Sequence, residues 1–201
     1  RGPIMLAPEP AVRLAGRDGP LRLLVVGGSL GASALNRTVP AALAHTAARD
    51  AFSVYHQTGR DDRERVVSAY KDAGIEARVE AFIEDMAEAY SWADLVICRA
   101  GALTVAELAV VGVAAILVPY PHATDDHQTG NARFLADAGA AILLPEADMD
   151  SAGLATLLSD FSAQRDVLLE MACRARALAM PEAARRVAEL CLQVARPGGA
   201  A

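Results

Sequence analysis

Leu95-Val96-Ile97-Cys98-Arg99-Ala100-Gly101-Ala102-Leu103-Thr104-Val105-Ala106-Glu107 is the stretch whose reading decides the fold. Four apolar residues, a small glycine-containing turn and then helical spacing predict a strand buried on both faces, a tight loop and a helix start. The first turn of a helix leaves about four backbone N–H groups unpaired and carries roughly half a positive charge. An anion is therefore favoured there without any basic side chain. Ala100, Gly101 and Ala102 are small enough to let it approach. A second reading is purely local: Thr104 and Glu107 have the spacing of a capping box, in which two side chains satisfy the helix start between them.

The same unit recurs on both sides of this stretch. Residues 21–26 form an apolar run ending at Gly27-Gly28-Ser29-Leu30-Gly31, and helical spacing follows over 32–48. Further strands are predicted at 52–55, 78–82, 95–98, 114–118 and 141–144. Helices are predicted at 61–73, 86–90, from 103 onward, and at 126–138, 151–159, 164–179 and 182–195. Strands alternating with helices imply right-handed crossovers and a parallel six-stranded, Rossmann-like sheet with helices on both faces. Ligands of such sheets sit outside the carboxyl ends of the strands. Every unusual polar or glycine-rich stretch follows a strand: 27–31, 56–60, 83–85, 99–104 and 122–131. They converge on one rim, which capping alone does not require.

Composition narrows the class. With 53% hydrophobic but only 4% aromatic residues, the 201-residue chain suits helices packed closely on a sheet. A formal charge of −6 argues against nucleic acid as a partner, and Lys71 is the only lysine. Cys98, Cys173 and Cys191 are far apart and lie in apolar or helical patterns, so neither a disulfide framework nor a zinc site is indicated, and a cytoplasmic setting fits. No apolar run reaches the roughly 18 residues of a membrane span. The chain opens on Arg1, and residues 1–20 are rich in proline and glycine, so they read as an interdomain linker ahead of a domain at 21–201.

Three rival chemistries arise from the motifs. Gly27-Gly28-Ser29-Leu30-Gly31 has the spacing of a hydrolase nucleophile elbow built on Ser29. The acids Asp125 and Asp126 crowd His127, however, and the turn follows the first strand. A dinucleotide site would need an acidic residue at the end of the second strand, where His56-Gln57 stands. Asp148-Met149-Asp150 imitates a metal-binding Asp-x-Asp, yet its place before a helix makes Asp150 an N-cap, and no metal is expected. His45, in a helix, reads as an ordinary surface or core histidine. His122 and His127 lie in a loop before a helix. Gln128 and Asn131 face the same way from that helix's first turn and suit hydroxyl recognition.

Taken together, Gly27-Gly28-Ser29-Leu30-Gly31-Ala32, His56-Gln57-Thr58-Gly59, Phe82-Ile83-Glu84-Asp85-Met86, the run from Ala93 to Glu107 and Asp126-His127-Gln128-Thr129-Gly130-Asn131-Ala132 resemble the carboxyl-terminal half of the MurG family. That family transfers N-acetylglucosamine from UDP-N-acetylglucosamine to lipid I, giving lipid II in bacterial peptidoglycan synthesis.

The resemblance implies one half of a GT-B glycosyltransferase, inverting and metal-independent. This half would bind UDP-N-acetylglucosamine, and an amino-terminal half, absent here, would bind lipid I and supply the base. Glu107 would hold the ribose hydroxyls and Ile83 would meet uracil through its backbone. Ser29 and the N–H groups of Leu103 and Thr104, beside Ala102, would hold the diphosphate, while Gln128 and Asn131 read the sugar. Arg1, Gly28, Gly31 and His127 are further candidates. The whole protein would be peripheral on the cytoplasmic face of the inner membrane. The last helix either crosses to brace the other half or packs Val187, Leu190, Cys191 and Val194 on this domain's own core. A non-catalytic nucleotide-sugar binding module is the alternative from another class, and the fragment alone is expected to be inactive.

Overall fold

The computed structural model describes residues 3–28, 31–47 and 49–195. Six parallel strands, β1 (Leu21–Val26), β2 (Phe52–Gln57), β3 (Ala77–Glu80), β4 (Leu95–Cys98), β5 (Ala114–Leu117) and β6 (Ala141–Leu143), lie in the order β3-β2-β1-β4-β5-β6. This is the strand order of doubly wound nucleotide-binding folds, whose crevice opens where the order reverses, between β1 and β4. Leu23 pairs with Val54 on one side and Leu95 on the other, and Val26 with Gln57 and Cys98. The carboxyl ends of β1, β2 and β4 are thus level. The turn at Gly27, although first in the sequence, stands at the centre of the sheet.

Strand residues alternate between two apolar layers, as the two-residue period of a strand demands. Leu21, Leu23, Val25, Leu95, Ile97, Ala114 and Ile116 face the helices α2 (Ser33–His45), α3 (Arg63–Asp72) and α7 (Ser151–Ala163). Leu24, Val26, Val96, Cys98, Ala115 and Leu117 face α4 (Met86–Trp92), α5 (Ala102–Val111) and α6 (His127–Ala136). Helix α8 (Arg165–Ala177) contributes Leu168 and Met171 to the first layer and Ala175 to the second. Burial raises the Cys98 thiol to about 12, so it behaves as a small apolar residue.

The opening segment is docked on the domain. It forms a 3-10 turn (Pro3–Leu6) and a short helix, α1 (Pro10–Leu14), and buries Ile4 and Ala7. Arg13 donates to the carbonyls of Ala93 (2.7 Å) and Gly112 (2.6 Å), and Arg17 pairs with the buried carboxylate of Asp94 at 2.6 Å. Asp94 also meets Arg165 at 3.2 Å and accepts from the Arg22 N–H at 3.0 Å. Composition marked these residues as linker, and the arginine contacts that hold them come from 70 and more residues away in sequence. Helix α9 (Ala183–Ala195) shows the reverse. Val187, Leu190, Leu192 and Val194 are exposed and Cys191 is too, so the reading in which α9 covers this domain's own core fails. Among the described residues no helix is long and apolar enough to cross a membrane.

Candidate functional site

Helix α5 starts at Ala102, with Gly101 as its N-cap and no side chain capping it. Thr104 is therefore the third helical residue, and the capping-box reading of Thr104 and Glu107 is wrong. The cap is set by where the chain leaves β4, not by the pair's spacing. The N–H groups of Ala102, Leu103 and Thr104 have no acceptor within the helix, whose first bond runs from Val105 N to Gly101 O at 3.0 Å. Glu107, half-buried one turn further on, lies with one carboxylate oxygen 3.5 Å from the Tyr90 hydroxyl. Tyr90 is buried, and desolvation raises its pKa, so it presents an O–H rather than a phenolate.

The first turn of α6 faces this helix start. Gln128 Oε1 accepts from the N–H groups of Ala100 (3.2 Å) and Tyr120 (3.0 Å), and Asn131 Nδ2 donates to the Ala100 carbonyl (3.0 Å). Both side-chain amides thus clip the β4–α5 loop. Among the described residues, no partner occupies their opposite ends, the NH2 of Gln128 and the Oδ1 of Asn131, which suit hydroxyl groups as donor and acceptor. Asp125 and Asp126, just before α6, hold left-handed backbone (φ 53° and 50°), a conformation that concentrates at functional loops in non-glycine residues. His127 is exposed beside them, and His122 is exposed and meets the Tyr120 ring edge-on at 5.6 Å. His45 is exposed at the end of α2.

Ile83 lies over the same rim, but its N–H already donates to Gln57 Oε1 at 2.9 Å. Only its carbonyl is left for a base, which narrows the expectation for its backbone. Ser29 and Arg1 lie outside the described residues. Gly28 and Gly31 have φ +81° and +76°, and the Gly31 N–H donates to the Gly28 carbonyl at 3.1 Å. A Cβ on Gly31 would stand 2.3 Å from the Thr58 carbonyl oxygen, so Gly31 rests directly on the residue after β2.

Several residues shape this rim without having been singled out as site candidates. Arg99 pairs with Glu146 at 2.5 Å and donates to the carbonyls of Val118 and Pro119, fastening the loops after β5 and β6 to the end of β4. Asn36, Gln57 and Tyr90 act behind the loops. Nothing in their local spacing marks them, because each works through a partner distant in sequence. Asp150 accepts from the N–H groups of Ala152 and Gly153 (2.9 and 2.8 Å), the N-cap role its position predicts. A groove of about 840 Å³ lies on the flank, along β2, β3 and α4, between Tyr55, Arg78 and Trp92. It is separate from the helix start at Ala102.

Comparison with known proteins bears on the family and the fold. Residues 22–187 match the glycosyltransferase family 28 C-terminal domain. The chain is 56% identical to a protein of Aromatoleum aromaticum named UDP-N-acetylglucosamine--N-acetylmuramyl-(pentapeptide) pyrophosphoryl-undecaprenol N-acetylglucosamine transferase, over 97% of this chain and 54% of that protein. It is 57% identical to the protein of the same name from Azoarcus sp., over 92% of this chain and 52% of the relative. It superposes on the crystal structure of Acinetobacter baumannii MurG with a TM-score of 0.88 and 45% identity, covering 94% of this chain and 55% of that one. The chain spans about half the length of the curated relatives it matches.

Proposed function

The chain belongs to the glycosyltransferase family 28 C-terminal domain family, and from that membership we propose that it is the donor-binding half of a GT-B N-acetylglucosaminyltransferase that moves N-acetylglucosamine from UDP-N-acetylglucosamine to lipid I. Family membership sets the hydrolase alternative aside. The observation that carries the proposal is the uncapped start of α5, with Glu107 one turn along it and the free ends of Gln128 and Asn131 opposite. In this reading the diphosphate lies on the N–H groups of Ala102, Leu103 and Thr104. The ribose hydroxyls donate to Glu107, and the uracil N3–H donates to the Ile83 carbonyl. As the bond from the sugar to the diphosphate breaks, negative charge grows on the departing UDP. Fixed N–H dipoles stabilise that charge without reorganising. The acceptor and the base belong to the other half, and both reactants must be held within about 3 to 3.5 Å of each other. The isolated chain should therefore bind donor and show no turnover with labelled donor and a lipid I analogue until an amino-terminal half is added. A lipid-linked acceptor and a water-soluble donor support the reading that the whole protein works at the cytoplasmic membrane face.

Glu107→Gln tests the donor site. Hydrogen bonds to a charged group contribute about 1.5 to 3 kcal/mol, so UDP affinity should fall about tenfold to a hundredfold while the melting temperature stays close to the parent's. Equal affinity by calorimetric titration would remove Glu107 from the site.

A second expectation concerns metal. The acidic residue that best imitates a metal ligand, Asp150, spends its Oδ1 on the start of α7. Titrations of UDP-N-acetylglucosamine in EDTA and in excess magnesium should agree. A loss of affinity beyond about tenfold in EDTA would assign part of the diphosphate binding to a cation instead of helix N–H groups.

A further inference from the structure

Behind the glycine turn lies a buried chain of polar side chains that the donor contacts above do not use. His56 is fully buried on β2, with Nδ1 2.8 Å from the Tyr70 hydroxyl on α3 and Nε2 3.0 Å from Asn36 Oδ1 on α2. Asn36 Nδ2 lies 2.9 Å from the Thr58 carbonyl and 2.8 Å from Asp62 Oδ2. Those two oxygens can only accept, since Asp62 is held ionised by Asn36 and Arg65. Both amide hydrogens of Asn36 are therefore committed, and its Oδ1 must be the atom facing His56. The proton of His56 then sits on Nε2, and Nδ1 accepts from Tyr70. Each partner admits one arrangement.

The far end of this chain is the seat of Gly31. The Thr58 carbonyl held by Asn36 is the same oxygen on which Gly31 rests, too close to admit a Cβ. The Thr58 N–H is tied to the Glu80 carbonyl at 2.9 Å, so the carbonyl cannot swing aside cheaply. The order is Tyr70, His56, Asn36, Thr58, Gly31.

We propose that His56 is a positioning residue for donor binding: as a neutral imidazole protonated at Nε2, it locks Asn36 and through it the Thr58 carbonyl that seats Gly31, on the β1 side of the crevice whose β4 side carries the proposed diphosphate site. This rests on the donor-site reading above. His56 touches no donor atom. Its loss should therefore weaken the phosphate part of the ligand and leave the nucleoside part largely alone, whereas a general packing defect would weaken both.

The test uses UDP and uridine, titrated by NMR line shifts into the parent chain, His56→Leu, His56→Gln and Tyr70→Phe. In His56→Leu, UDP affinity should fall at least about tenfold and uridine affinity by less than about threefold. His56→Gln, whose Nε2 can still donate to Asn36, should recover most of the UDP affinity. In the parent, the 15N spectrum should show Nε2 protonated and Nδ1 bare at neutral pH, whereas Nδ1 protonation would overturn the assignment. Equal losses for UDP and uridine in a folded His56→Leu chain would overturn the proposal while leaving the donor site intact. Failure of the parent to bind UDP would instead remove the donor-site reading and this inference with it. Should His56→Leu not fold, Tyr70→Phe decides, since it keeps the ring and removes only the hydroxyl. A loss of about threefold for UDP with uridine unmoved supports the proposal, and unchanged UDP affinity overturns it.

Discussion

Gly31→Ala should cost more than about a hundredfold in UDP affinity. Gly31 has φ +76°, where a side chain adds about 1 to 2 kcal/mol of backbone strain, and its Cβ would press on the Thr58 carbonyl oxygen at 2.3 Å. That oxygen is backbone, pinned by Asn36 at 2.9 Å, so relief requires either the glycine turn or the end of β2 to move. Gly28→Ala is the matched control. Its φ of +81° carries similar strain, but among the described residues a Cβ there meets nothing within 4 Å. It should lose no more than about tenfold. The difference between the two variants reads the clash alone. Equal losses in calorimetric titrations would mean that contact with Thr58 does not set the turn's shape.

Acid should destabilise the domain well before its carboxylates titrate. Burial holds the folded-state pKa of His56 down at about 3, against 6.5 for an ordinary histidine. Between those values the unfolded chain binds the proton that the folded chain refuses, so stability rises with pH across this window. It is fully present above 6.5 and lost as pH falls from there toward 3. Each pH unit inside the window is worth about 1.4 kcal/mol, so going from about pH 7 to about pH 5 should cost roughly 2 kcal/mol. Against a total of roughly 5 to 15 kcal/mol for a domain, that loss is readily measured. Urea unfolding of parent and His56→Gln at the two pH values checks it: the glutamine variant should lack this part of the pH dependence. The same dependence in both chains would place the lability elsewhere.

Much of the architecture could be read from local pattern. The bounds of β1 and β4 follow from apolar runs, broken in β1 only by Arg22, that stop at glycine-containing turns, because a strand buried on both faces is predominantly apolar and a helix start needs small residues beside it. Convergence of the special loops on one rim followed from the alternation of strands and helices, since parallel crossovers put every such loop at the strands' carboxyl ends. The pairing of Gln128 with Asn131 followed from helical spacing.

Other features needed the tertiary structure. The turn at Gly27 counted against a hydrolase elbow for following the first strand, yet β1 lies at the centre of the sheet, because strand order depends on crossovers that span the whole chain. The start of α5 fell at Ala102 instead of at the Thr104 pair, because the path leaving β4 sets the cap. Residues 3–17 read as linker by composition, but Arg13 and Arg17 tie them to Ala93 and Asp94. The apolar face of α9, for which two partners were open, is exposed instead of covering this domain's core. Periodicity records that a face is apolar and spacing records that two groups can meet. Which partner covers that face, and which atom of His56, Gln57 or Asn36 is spent on the scaffold, depends on contacts between segments that no local window contains.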